Sequence, residues 1–150
     1  MSTSSIAAIG HRTQDGSRRV RLLAVALAAL AGVAVWVVAD VFGVDVRQPA
    51  FGVAQQSQAL GAPFVAVVSA LAALAGWGLL AVLERLTASA RRVWTAIATV
   101  ALLLSLGAPL SGHGVTASSR VTLVAMHLAV GAVVITLLRR SSQPRGEASA

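Results

Sequence analysis

The chain alternates between long apolar segments and short polar ones, and the last apolar segment shows the pattern most clearly. Residues 121–138 form an apolar run of eighteen residues between Arg120 and Arg139, with a single ionisable side chain, His127. A helix of that length rises roughly 27 Å at about 1.5 Å per residue, close to the thickness of a bilayer's hydrocarbon core. The pattern therefore predicts a helix that crosses a membrane.

Three earlier apolar segments have similar lengths, so the sequence predicts four spans in a transmembrane domain over residues 22–140. The predicted spans are residues 22–39, 64–83, 93–110 and 121–138. Gly107 and Pro109 are expected to loosen the far end of the third span, because proline blocks a regular helical continuation. The stretches outside the domain, residues 1–21 and 141–150, are polar and are predicted to be flexible cytoplasmic tails.

Two segments leave alternatives open. Residues 17–23 partly resemble a twin-arginine export signal, but the apolar segment that follows has eighteen residues, whereas signal-peptide cores have about 7–15. We therefore prefer an uncleaved first span. The external loop, residues 40–62, either folds over the outer mouth of the bundle or rests at the headgroups as a surface connector, which is the simpler interpretation.

Composition supports a membrane protein and excludes several other classes. Hydrophobic residues make up 57% of the chain and charged residues only 11%, whereas soluble domains carry about 25% charged residues. The chain has no cysteine, which excludes disulfides, thiolate metal sites and thiol redox chemistry. The arginines flank the apolar segments rather than forming a basic stripe, so nucleic acid is not an expected partner.

The distribution of arginines predicts the orientation of the spans. The two tails and the loop between the second and third spans hold ten arginines, and the other two loops hold only Arg47 and Arg120. Because cytoplasmic loops carry the excess of basic residues, both termini are predicted to lie in the cytoplasm. The predicted fold is an all-α, antiparallel four-helix transmembrane bundle in a bacterial cytoplasmic membrane.

The fourth span carries a stripe of small residues opposite its histidine. At about 100° per residue, His127 lies on the face opposite the stripe of Thr122, Ala125, Ala129, Ala132 and Thr136. If the stripe faces neighbouring helices, His127 would point towards lipid, which is costly. Either this span is held between neighbours on both sides, or the His127 face meets a second copy or a partner protein.

His127 is the strongest candidate for chemistry, because an ionisable group inside a span is by default a functional candidate. Around it we expect a polar site for a proton or a ligand, formed with Ser105, Thr122 and Asp40. The simpler alternative is a neutral histidine that only hydrogen-bonds within the bundle. Haem is not expected, because no second histidine lies inside a span.

The remaining polar residues suggest no enzyme. Near the cytoplasmic ends of the second and third spans, a local set of ion pairs is expected among Glu84, Arg85, Arg91 and Arg92. Ser111 and His113 lie on one loop without an acid partner, and a catalytic triad is recognised by geometry. No hydrolase, zinc-protease or nucleotide-binding motif is present, so we expect neither enzymatic activity nor a cofactor or metal.

Short motifs in the last two spans resemble a known family. Ser105-Leu106 with Pro109-Leu110 ends the third span, and Thr122 with Met126-His127-Leu128 lies in the fourth. With four spans, these resemble DUF6069, a domain-of-unknown-function family of small four-span membrane proteins from high-GC bacteria. The resemblance covers about residues 22–140 and implies an inner-membrane four-helix protein. It points to no particular activity and assigns no functional residues.

Two functions follow as hypotheses from these observations. The first is a non-enzymatic accessory or structural subunit that acts through helix–helix association, as a homo-oligomer or with a membrane-protein partner. The alternative is a small transporter or channel, possibly oligomeric, that uses the polar site around His127 in the outer half of the bundle.

Overall fold

The computed structural model describes residues 3–50 and 56–141, with side chains described from residue 16 onward. Its elements are α1 (Thr3–Val41), β1 (Arg47–Gln48), β2 (Gln58–Ala59), α2 (Ala62–Leu86), α3 (Ala90–Ser105), α4 (Gly107–Ser111) and α5 (Ala117–Ser141). The predicted tail beyond residue 141 and residues 51–55 of the predicted external loop lie outside the described residues.

Four helical segments are long and apolar enough to cross a membrane. They are Gly16–Val41, Ala62–Leu86, Ala90–Ser111, which joins α3 and α4, and Ala117–Ser141. The predicted fold class, a mostly helical chain with four such helices, is confirmed. Each segment is longer than its predicted span, because a helix continues past the hydrocarbon core until the sequence breaks it.

The first helix differs most from its predicted bounds. The sequence analysis assigned residues 1–21 to a flexible tail, whereas α1 begins at Thr3. No proline occurs before Pro49, so no residue in this stretch blocks a helical backbone before residue 22.

The third predicted span is divided where proline requires it. Regular helix α3 ends at Ser105, and the five-residue α4 follows after Leu106. Pro109 has no backbone N–H, and its ring would clash with the carbonyl of Ser105 in a continuous helix. The prediction that Gly107 and Pro109 loosen this end agrees with the break.

The four long helices form a bundle in which α2 and α5 are central. Helix α1 packs against α2 and α5, α3 also packs against α2 and α5, and α2 contacts α5 directly. One end of the bundle carries residues 42–50, 56–61 and 106–116, and we call it the loop end. The other end carries the arginines near residues 18–21, 85–92 and 139–140, and we call it the arginine end.

Close packing of α1 depends on small residues. Ala24 and Ala28 on α1 and Ala73 on α2 have no exposed surface. A Cβ added to Gly32 of α1 would lie 2.6 Å from the Oγ of Ser69 on α2, closer than any side chain allows. Small residues at these positions let the helix backbones approach, which is how helices gain packing contacts in lipid.

Trp94 joins α3 to α2 near the arginine end. It is the largest fully buried side chain among the described residues, and its indole Nε1–H donates to the carbonyl of Gly76 on α2, at 2.8 Å. Gly76 also lets Val134 and Leu138 of α5 approach to 3.4 Å from its Cβ position. Trp94 and the fully buried Leu80 therefore pack together where α2, α3 and α5 meet.

The loop end is covered by the connection between α1 and α2. Val46, Pro49 and Ala50 are buried, and Ala50 pairs in an antiparallel bridge with His113, with backbone bonds of 3.0 and 3.2 Å. A Cβ on Gly112 would collide with the Cβ of Pro49, so this close approach requires glycine. Of the two interpretations of this loop, the structure shows the one in which it folds over the end of the bundle.

Arg47 holds this cover to α5 and to the rest of the loop. Its backbone N–H donates to the Oγ of Ser119 at 3.0 Å, and its side chain donates to the Oγ and carbonyl of Ser57. Its guanidinium also pairs with Asp45 at 3.1 Å. Trp36 of α1 donates to the carbonyl of Leu60 at 2.7 Å, so the cover is bonded to both sides of the bundle.

We predict that truncating Trp94 destabilises the bundle more than truncating Trp77, which is only half-buried. Trp94→Ala leaves a cavity and removes the bond to Gly76, an expected loss of about 3–5 kcal/mol. Trp94→Phe keeps most of the ring and should cost about 0.6–2 kcal/mol, the usual value of an interhelical hydrogen bond in a membrane. Unfolding by denaturing detergent measures both, and equal losses for Trp94→Ala and Trp77→Ala would contradict the assignment.

Candidate functional site: a cavity beside His127

A cavity of about 660 Å³ lies between α2, α3 and α5. At the loop end it is bounded by Gln48 and Pro49 of the cover, and at the other end it reaches Trp94. Along α2 its wall runs from Phe64 to Leu79, fifteen residues or about 22 Å by helical rise. The cavity is therefore long and narrow and lies along the helix axes.

The cavity opens sideways between α2 and α3. Phe64 and Val68 on α2 and Ile97 and Ala101 on α3 all line the cavity, and all are also exposed on the outside of the bundle. Trp94 holds α2 and α3 together near the arginine end, so the opening lies on the loop-end side of that contact. If the four helices span a membrane, this opening faces the lipid chains.

His127 faces the cavity from α5. Its Nδ1 lies 2.7 Å from the carbonyl oxygen of Leu123, and because a carbonyl only accepts, Nδ1 is the protonated nitrogen. In the neutral ring Nε2 is then a hydrogen-bond acceptor, on the edge of the ring away from the backbone of α5. The bond to its own helix fixes how the ring is presented to the cavity.

The structure places the histidine face of α5 towards the cavity. Helix α5 packs against α1, α2 and α3, and the half-buried His127 lines the cavity between helices of the same chain. In the stripe of small residues, Ala132 and Thr136 are exposed, Ala125 and Ala129 are half-buried, and Thr122 is buried.

Three polar side chains of the cavity wall lie at a common level. Gly131 of α5 contacts Leu102 of α3. Ser105 lies one turn from Leu102 towards the loop end, and His127 lies one turn from Gly131 in the same direction. Ser105 and His127 are therefore at the same level. Ser69 of α2 and Val130 of α5 both approach Gly32, which places Ser69 within about one turn of His127. We call Ser69, Ser105 and His127 the polar level.

The four residues predicted to form one site are only partly brought together. Ser105 lines the cavity with His127, whereas the hydroxyl of Thr122 donates to Ser118 of its own helix at 3.0 Å. Asp40 is exposed at the end of α1, and within the described ranges neither it nor Thr122 lines the cavity. The sequence did not assign Ser69 to this site, because its level relative to His127 depends on helix register.

The ion pair of Glu84 differs from the expected local set. Glu84 pairs with Arg21 of α1 at 2.6 Å, and Arg21 also donates to the Oγ of Ser141 on α5 at 3.3 Å. The side chains of Arg85, Arg91 and Arg92 are exposed. The reason is the extension of α1, which brings a buried arginine beside the ends of α2 and α5. This pair joins three helices and is separate from the cavity.

The described side chains offer no cluster of three His, Asp or Glu residues suited to a metal ion. The cavity is an apolar compartment with the amide of Gln48 at its loop end and one imidazole and two serine hydroxyls at the polar level. Such a compartment suits an apolar molecule with a small polar group.

Fold and cavity together define a multi-pass membrane protein, with four apolar helices around a compartment that opens sideways. The chain belongs to the DUF6069 family, a family of unknown function whose model matches residues 12–144. The resemblance seen in the sequence is thus confirmed. Comparison with curated proteins and with solved structures gave no match.

Proposed function

We propose that this membrane protein is a non-enzymatic accessory or structural subunit that acts by helix–helix association, with a second copy or with another membrane protein. The observation that supports it most is the stripe on α5. Ala125, Ala129, Ala132 and Thr136 follow one another at helical three- and four-residue steps, and Ala132 and Thr136 are exposed while Ala125 and Ala129 are half-buried.

The proposal depends on small exposed residues rather than on exposed leucines and valines. Lipid chains are as apolar as leucine, so an exposed Leu128 or Val121 gains little from a partner. Alanine and threonine leave room for a second helix backbone to approach, which increases van der Waals contact. The stripe is therefore the surface on which a partner helix gains most.

We predict that Ala132→Leu weakens association about tenfold or more, because the larger side chain keeps the partner helix away. Ala34→Leu is the matched control, since Ala34 is also exposed but lies on α1. The native mass in lipid nanodiscs measures association. We expect a homo-oligomer or a stoichiometric partner for the parent chain and for Ala34→Leu, and a monomer for Ala132→Leu. A monomeric parent chain would overturn the proposal.

We also propose that both termini lie in the cytoplasm of a bacterial cell. Among the residues whose side chains are described, eight arginines lie at the arginine end and two, Arg47 and Arg120, at the loop end. Arginine-rich ends of short loops stay on the cytoplasmic side.

Labelling of single cysteines tests this orientation cleanly, because the chain has no cysteine of its own. In intact cells a membrane-impermeant maleimide should label Gln56→Cys at the loop end. Ser89→Cys at the arginine end should react only after lysis. The reverse pattern would show that the loop end lies inside the cell.

A small transporter is the second candidate, and one observation favours it: His127 and Ser105 line the same cavity. Against it, the wall between the polar level and Trp94 is formed by apolar side chains such as Leu79 and Val134, which offer an ion no hydrogen bonds. Ions inside a membrane need such partners.

Flux through proteoliposomes separates the two candidates. We expect proton and ion flux to be the same for the parent chain, for His127→Leu and for empty liposomes, because an accessory subunit has no pathway of its own. A flux well above that of empty liposomes, lost in His127→Leu, would identify a transporter instead.

A further inference from the structure

We propose that the cavity binds a single-chain lipid alcohol, with its hydroxyl group at the polar level of Ser69, Ser105 and His127 and its hydrocarbon chain directed towards Trp94. This inference goes beyond association through α5, since it concerns the opposite face of that helix. It rests on the length of the cavity, the chemistry of its wall and the hydrogen bonding of His127.

The shape of the cavity suits an extended chain. Its volume is about 660 Å³, and its wall extends about 22 Å along α2. An extended hydrocarbon chain can lie in such a space with its length along the helix axes.

The depth below the polar level sets the chain length. From Ser69 to Leu79 the wall of α2 is ten residues long, or about 15 Å. An extended chain advances about 3.3–3.6 Å per three bonds, so about 13 bonds reach the floor. Ala72, Gly76 and Val134 line this part of the cavity, and none of them offers a polar side chain.

The polar level has to provide selectivity. A hydrocarbon chain that moves from the bilayer into the cavity exchanges one apolar surrounding for another and gains little. The difference between a bound molecule and bulk lipid therefore arises at Ser69, Ser105 and His127.

Hydrogen bonding of His127 and Ser105 favours a ligand group that donates, such as a hydroxyl. His127 donates through Nδ1 to Leu123, which leaves Nε2 as an acceptor in the neutral ring. The Oγ of Ser105 donates to the carbonyl of Leu102 at 2.7 Å, which leaves its lone pairs as acceptors. A hydroxyl supplies the donor that these acceptors need, whereas a carboxylate, a ketone or a plain hydrocarbon supplies none.

The route of entry is the opening between α2 and α3, where Val68 and Ala101 are exposed and also line the cavity. A lipid that lies in the bilayer reaches the cavity sideways, without passing the cover of Pro49 and Gln48.

Binding of tritiated tetradecan-1-ol to the full chain in nanodiscs tests the proposal, with empty nanodiscs as background. We expect saturable binding of one molecule per chain. Tetradecane and tetradecanoate should each compete at least tenfold more weakly than unlabelled tetradecan-1-ol. Absence of a saturable component, or equal competition by all three, would overturn the proposal.

Variants locate the bound alcohol. Ala101→Phe narrows the cavity and should abolish binding, whereas Ala96→Phe, on the exposed side of the same helix, should bind as the parent chain does. His127→Phe removes the acceptor and should weaken binding about tenfold, while His127→Gln, which keeps one, should retain most of it. Equal binding by Ala101→Phe and Ala96→Phe, or by His127→Phe and the parent chain, would contradict the assigned site.

Binding of the alcohol does not depend on the proposed association through α5. Ala132→Leu changes the opposite face of α5 and should leave alcohol binding unchanged, so that failure of one proposal is distinguishable from failure of the other.

Discussion

The contact between Trp94 and Gly76 sets how α3 packs against α2 and α5. In lipid the hydrophobic effect does not press helices together, so a buried side chain that packs and hydrogen-bonds across an interface has unusual weight. Trp94 does both, with no exposed surface and a bond of 2.8 Å to α2. Trp94 fills the space between α2, α3 and α5 near the arginine end. Towards the loop end, where no such side chain fills the space, the same helices leave the cavity.

The two ends of the bundle are closed by different interactions. At the arginine end, the buried Arg21 pairs with Glu84 and donates to Ser141, which joins α1, α2 and α5. At the loop end, backbone bonds of Ala50 and the hydrogen bonds of Arg47 hold the cover on α5 and the segment before it. With both ends fixed, the described helices leave the opening between α2 and α3 as the way into the cavity.

The lengths of the apolar segments were enough to predict the four spans, because a helix needs about twenty apolar residues to cross a hydrocarbon core, whichever helices pack beside it. Features that depend on neighbours were not predictable in that way. Glu84 pairs with Arg21, which the sequence had placed in the tail, because α1 continues past the predicted tail boundary. The orientation of His127 depends on which face of α5 is covered by other helices. The level of Ser69 relative to His127 depends on how α2 and α5 are aligned, which the pattern of a single helix does not reveal.

The most direct test of this account is the separation of α2 and α3 at two levels, measured by paired spin labels in nanodiscs. The chain has no cysteine, so labels attach only at introduced pairs of exposed positions, Val82 with Val93 near the arginine end and Val67 with Leu104 near the loop end. The account predicts a clearly larger separation for the second pair, because the cavity lies between the helices there. Equal separations would show that the helices run closely packed along their whole length, and would contradict the cavity and the site built on it.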